Sequence, residues 1–102
     1  MPGAAALAVA RALEEIGVRH VGVKWPNDLQ IGSGKVAGIL IETGSHPEKG
    51  PFAVIGIGIN ANQSEFPSDI ATKATSLKQA LGLAIDRTDL AARLISHLQM
   101  TL

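Results

Sequence analysis

The stretch Val23–Leu40, VKWPNDLQIGSGKVAGIL, decides how the chain is read. It is a hydrophobic run broken by Pro-Asn-Asp and by Gly-Ser-Gly, the punctuation that ends strands and closes hairpins. Trp25 ahead of Pro26 is expected to be extended and to lie in the core, with Asn27 and Asp28 satisfying the turn that follows. The GSG at 32–34 should join two antiparallel strands. Outward from there, the β-branched residues between His20 and Asn60 predict strands at 20–25, 28–32, 35–43 and 52–60. Two polar stretches, GSHPEKGP at 44–51 and ANQSEFPSD at 61–69, are expected to be surface loops with too little apolar content to pack.

Helical patterns bracket these strands. Residues 3–17 are alanine-rich, with Leu13 and Ile16 in register and Gly17 placed to stop the helix. Downstream, a helix is expected from Ala74 to Leu81, ended by Gly82. Another should start at an Asp86 cap and carry Leu90, Leu94 and Leu98 on one side. The order αββββαα with hairpin links favours an α+β fold, a sheet with helices on one face, over an alternating parallel fold.

The 102 residues are taken as one unit, and nine basic residues balance nine acidic ones, so the field that attracts nucleic acid is missing. There is no cysteine for a disulfide or a thiolate metal site. The first apolar run, Ala4–Ala10, has no basic residue ahead of it and is too short to span a bilayer. A cytoplasmic protein without a membrane partner is the expectation.

Alternation in 52–60 puts Ala53, Ile55, Ile57 and Ile59 on one side of a strand, and Val54, Gly56, Gly58 and Asn60 on the other. Two glycines on one face cost stability, so either a backbone or a ligand lies against the sheet there, or the strand is bulged or crossed closely by a helix. Lys35 opens a strand whose next members on its face are Ala37, Ile39 and Ile41, and a lone lysine so placed ordinarily snorkels outward. Snorkelling does not account for Lys24, Asp28 and Lys35 gathering within twelve positions near strand ends.

Two nucleotide motifs fail on inspection. GSGK would need its first P-loop glycine at Leu29 and a Ser or Thr at Val36. GIGINA at 56–61 is followed by Pro67 and a polar loop where a dinucleotide fold opens a helix. His20, His46 and His97 are scattered, which argues against a protein metal site.

KWPNDL at 24–29, KVAGIL at 35–40, GIGIN at 56–60 and ATSL at 74–77, in this order and spacing, resemble the catalytic domain of biotin protein ligases over nearly the whole chain. The resemblance implies a mixed, largely antiparallel sheet flanked by helices, related to lipoate ligases and class II aminoacyl-tRNA synthetases. It implies activation of biotin with Mg-ATP to biotinyl-5′-AMP and transfer to a lysine of a biotin carboxyl carrier protein. Lys35 would contact the activated carboxylate and phosphate, and Asp28 would assist the carrier lysine. Lys24, Asn27 and Asn60 would serve the nucleotide, and Gly38, Gly56 and Gly58 would floor the biotin rings. Under strict alternation Gly38 faces away from Lys35, so a shared site needs a bend at the strand start.

Against the family pattern, residues 1–102 are expected to be a partial catalytic domain, truncated on the N-terminal side. The glycine- and arginine-rich loop, the earlier strands, a DNA-binding helix-turn-helix and the C-terminal β-barrel have no counterpart in the sequence. The alternatives are a biotin- or adenylate-binding module without turnover, and a structural remnant that completes its sheet as a homodimer. The choice of biotin over lipoate rests on the resemblance alone.

Overall fold

The computed structural model describes residues 2–24 and 27–101, so the expectation for Trp25 and Pro26 lies outside the described residues. Helix α1 (Pro2–Glu15) leads into four strands, β1 (Gly22–Lys24), β2 (Asp28–Ile31), β3 (Gly34–His46) and β4 (Gly50–Ile59). Helices α2 (Leu77–Leu81) and α3 (Arg87–Thr101) follow. The strands form one sheet in chain order, every neighbouring pair antiparallel, as expected of an α+β fold.

Small residues let α1 approach the sheet closely. Ala5, Ala8 and Ala12 are fully buried together with Val9 and Leu13. Ala5, Val9, Ala12 and Leu13 share one cluster with Leu29, Val36 and Ile39 from the sheet, and with Leu77 and Leu90 from the later helices. Burying each of the leucines is worth about 1.5–3 kcal/mol against leaving it exposed. Gly17 terminates α1 at a φ of 111°, with Gly17 N–H donating to Glu14 O and Val18 N–H to Leu13 O, the paired bonds of a Schellman cap.

The GSG hairpin forms as read: Ile31 pairs with Gly34 across a two-residue turn, and Gly32 supplies the positive φ of 61°. Residues 44–51 depart from expectation. The β3–β4 ladder runs on to the pair His46 and Gly50, leaving Pro47–Lys49 as the turn. Gly50 takes a φ of 84° there, and His46 Nδ1 accepts the N–H groups of Glu48 and Lys49, so a stretch rich in turn residues is stitched into a hairpin end. The next helix starts at Leu77 rather than Ala74, because buried Ser76 is its cap. Asp86 caps α3 as expected, its Oδ1 accepting the N–H of Asp89 at 3.1 Å.

Core residues come from one face of the sheet. Register puts Ile55, Ile57 and Ile59 opposite Ile41, Ile39 and Ala37, on the side of α1. The other face carries Gly58, Gly56, Val54 and Phe52 opposite Gly38, Leu40, Glu42 and Gly44. Leu40, Phe52 and Val54 are each more than half exposed there. Among the described residues no helix is long and apolar enough to cross a membrane.

Candidate functional site

A β-bulge builds the site. In the β2–β3 ladder Asp28 pairs with Gly38 and Leu29 with Ala37, but Gln30 pairs with Lys35, so Val36 is the extra residue. Cross-strand partners share a face, and so Asp28, Gln30, Lys35 and Gly38 all lie on the open side, while Leu29, Ala37 and Ile39 point into the core. Strict alternation had Lys35 beside Ala37, Ile39 and Ile41. The bulge overturns that and supplies the bend that a site shared with Gly38 requires.

The Lys35 side chain lies over Gly38. A Cβ on Gly38 would stand 3.3 Å from both Cε and Nζ of Lys35. Nζ pairs with Asp28 Oδ1 at 3.1 Å, both side chains being one-third to one-half exposed. Such a pair is worth about 0–1 kcal/mol, so its geometry matters for chemistry more than for stability. Beside it the glycine floor is bare: nothing lies within 4 Å of a Cβ built on Gly58, and a Cβ on Gly56 would make ordinary contact with Leu40.

Three adjoining depressions share Lys35. One of 530 Å³ is lined by Asn27, Asp28, Lys35, Gly38, Gly56 and Gly58, which collects most of the residues singled out from sequence. A smaller one of 340 Å³ joins Gly38 and Gly58 to Asn60. The third, 600 Å³, has Phe66, Pro67 and Ile70 as apolar wall with Gln63, Glu65 and Lys73 around it. Lys24 lines none of these three; it stands across from Asp28 on the edge strand β1.

Asn60 is placed by its neighbours. Its N–H donates to Val36 O at 2.8 Å, its Nδ2 to Thr75 O at 3.2 Å, and its Oδ1 accepts from Gln63 Nε2 at 3.2 Å. The third cavity is not legible in the sequence, because the polar 61–69 stretch gives too little apolar content to pack. The available signal was Phe66 next to Pro67 with Ile70 three residues on, an apolar cluster inside a polar loop. Among the described residues no three of His, Cys, Asp and Glu gather as a metal-holding group.

Residues 4–60 match the sequence profile of the Biotin/lipoate A/B protein ligase family. The chain is 42% identical over 96 residues to the bifunctional ligase/repressor BirA of Bacillus subtilis, covering 92% of this chain and 28% of that protein. It is 40% identical over 80 residues to the biotin–[acetyl-CoA-carboxylase] ligase of Mycobacterium tuberculosis, covering 78% of this chain and 27% of the relative. The biotin protein ligase of Aquifex aeolicus, solved in complex with biotin and ATP, superposes with a TM-score of 0.85 at 35% identity, over 98% of this chain and 41% of that one. This chain thus spans less than a third of the two curated relatives. With the profile, the fold and the relatives in agreement, the chain belongs to the biotin/lipoate protein ligase family.

Proposed function

We propose that these residues form the activation and transfer site of a biotin protein ligase, which makes biotinyl-5′-AMP from biotin and ATP and passes the biotinyl group to a carrier-protein lysine. One observation carries the reading: Lys35 lines both the glycine-floored cavity and the cavity walled by Phe66, Pro67 and Ile70. A fused ring system fits against Gly38, Gly56 and Gly58, and a nucleoside fits the apolar wall. The carboxylate and the α-phosphate then meet at the lysine.

In the first step a carboxylate oxygen forms a bond to the α-phosphorus, and the bond to the leaving pyrophosphate breaks. Two anions must approach, and a fixed cation in a partly enclosed site offsets their repulsion. Lys35 supplies that cation. Magnesium would enter on the ATP phosphates, with phosphate oxygens among its ligands.

In the second step the carrier amine attacks the acyl carbon, and AMP leaves with the electron pair of the carbon–oxygen bond. The amine must first lose a proton, since a free lysine titrates near 10.4. Asp28 assists by accepting that proton or by orienting the amine. Its pairing with Lys35 orders the two steps: when Lys35 turns to the incoming anions, the Asp28 carboxylate is released for the amine. Asn60, which lines the cavity walled by Phe66, donates a hydrogen bond on the adenylate side; Asn27 lines the glycine-floored cavity instead, and Lys24 adds positive charge at the rim.

Calorimetric titration of biotin into the purified chain, with and without Mg-ATP and with lipoate as comparator, tests this reading. Selective heat with biotin is the expected outcome. Equal heat from lipoate would remove the choice of biotin, and silence under both conditions would overturn the assignment of the pocket to these residues.

A further inference from the structure

Lys35 is held from outside its own hairpin. Its N–H donates to Lys73 O at 2.9 Å and its carbonyl accepts the N–H of Thr75 at 3.0 Å, a parallel bridge centred on Ala74. The contact falls at the bulge, where a strand is least constrained by its own ladder. Gly34 allows it: a Cβ there would stand 2.8 Å from Thr75 Cβ, 3.0 Å from Thr75 Cγ2 and 3.3 Å from the Ala74 carbonyl carbon. Residues 73–75 also end the loop that walls the 600 Å³ cavity, so one short segment touches both the lysine's backbone and the cavity beside it.

We propose that Gly34 and Thr75 are positioning residues for Lys35: their close approach clamps the 73–75 segment onto the bulge and thereby aims the ammonium over Gly38. The proposal rests on the ligase reading for its catalytic consequence, although the clamp itself can be read without turnover. Neither residue lines the three cavities; Gly34 acts through Lys35, and Thr75 acts through Lys35 and also through Asn60, whose Nδ2 donates to its carbonyl at 3.2 Å.

Gly34→Ala is the first variant. In biotin-dependent exchange of pyrophosphate into ATP, kcat should fall about 10-fold or more while KM for biotin stays within about twofold, the pattern of a group needed in the transition state and not for binding. Adding Thr75→Gly removes both short side-chain contacts and should restore much of the rate. A turnover-free readout runs in parallel: acylation of Lys35 by an amine-reactive reagent, with Lys24 and Lys49 as internal references. Freed from its fixed approach to Asp28, Lys35 should acylate several-fold faster in Gly34→Ala, a change that no loss of substrate binding produces. If Gly34→Ala does not fold, Thr75→Pro deletes the N–H donated to Lys35 without adding a group at Gly34, and the same two measurements apply.

A folded variant with wild-type kcat and wild-type Lys35 acylation overturns the clamp. A wild-type chain that neither binds biotin nor exchanges pyrophosphate overturns the ligase reading instead. Acylation then decides the clamp by itself, an unchanged Lys35 counting against it.

Discussion

Lys35 and Asp28 form one pair at 3.1 Å, and chemistry can separate them. Lys35→Ala is expected to lower pyrophosphate exchange about 100-fold or more, the usual cost of removing one preorganised charge stabiliser. Its effect on the unfolding midpoint should be slight, because the pair is half exposed. Asp28→Asn still accepts a hydrogen bond from Lys35 and keeps the hairpin, so exchange should stay within about 10-fold of wild type while biotinyl transfer to the carrier falls by about 100-fold or more. Measuring both half-reactions on one preparation checks it, and equal losses in the two would sink the division of labour. The floor offers a complementary test. Gly58 has no neighbour within 4 Å of a Cβ, and glycine within a strand costs about 0.5–1 kcal/mol, so Gly58→Ala should unfold at the same or a higher urea concentration. Calorimetry should nevertheless show biotin affinity reduced about 10-fold, because the added methyl would occupy the proposed ring site. The bare face of β4 was legible from its alternation, since period-two patterning survives wherever a ladder is regular. The face of Lys35 was not, because one extra residue in β3 reverses every assignment before it.

Short elements here depend on single polar groups. Ser76 is wholly buried; its Oγ accepts the Gln79 N–H at 3.1 Å and donates to Gln63 O at 2.6 Å, joining the start of α2 to the loop behind the large cavity. Ser76→Ala removes the cap and leaves Gln63 O and the Gln79 N–H without these partners. A loss of about 1–2 kcal/mol is expected in urea denaturation, and a loss well below that would mean that the loop re-pairs elsewhere. The sequence pattern starts this helix three residues earlier because Ala74 and Thr75 continue the apolar and small pattern. Those residues are instead drawn into the bridge with Lys35, a tertiary contact that local propensity does not encode. The reverse error was made at 44–51, where glycine, proline and charge suggested a loop. The β3–β4 ladder overrides that composition as far as His46 and Gly50, and Phe52 lies over Gly44 on the open face, where a Cβ would stand 2.7 Å from the ring. Helix ends marked by dedicated residues were read correctly: Gly17 and Gly82 close α1 and α2 with positive φ, and Asp86 opens α3.

The first and last helices are tied together over the sheet, and the tie responds to pH. Glu15 of α1 accepts from His97 Nε2 at 3.0 Å and lies 3.5 Å from Arg93 Nη1 of α3, while Arg93 Nε is fixed by Asp89 Oδ2 at 2.9 Å. The hydrogen bond from His97 comes first among the causes that hold the Glu15 carboxyl below its ordinary range; the charges of His97 and Arg93 add to it and outweigh the opposing effect of desolvation. A carboxylate whose folded value is depressed contributes stability above its unfolded value and loses it as pH falls through the folded one. Glu15→Gln should therefore destabilise the chain at neutral pH, and the gap from wild type should close as pH falls between about 5 and about 3. Urea denaturation of both proteins at several pH values checks it, and a gap that does not narrow on acidification would show that the clasp adds nothing beyond packing. In the sequence the alanine-rich first helix and the leucine stripe of α3 are separate features, because helix crossing, not spacing along the chain, brings Glu15 to Arg93 and His97. The clasp is also independent of the site: it lies on the helix layer, whereas Asp28, Lys35, Gly38 and Gly58 share the opposite, open face of the sheet. Biotin heat measured where wild type and Glu15→Gln are both fully folded should accordingly be the same for the two proteins. A difference would mean that the packing of α1 against α3 reaches through the sheet to the glycine floor.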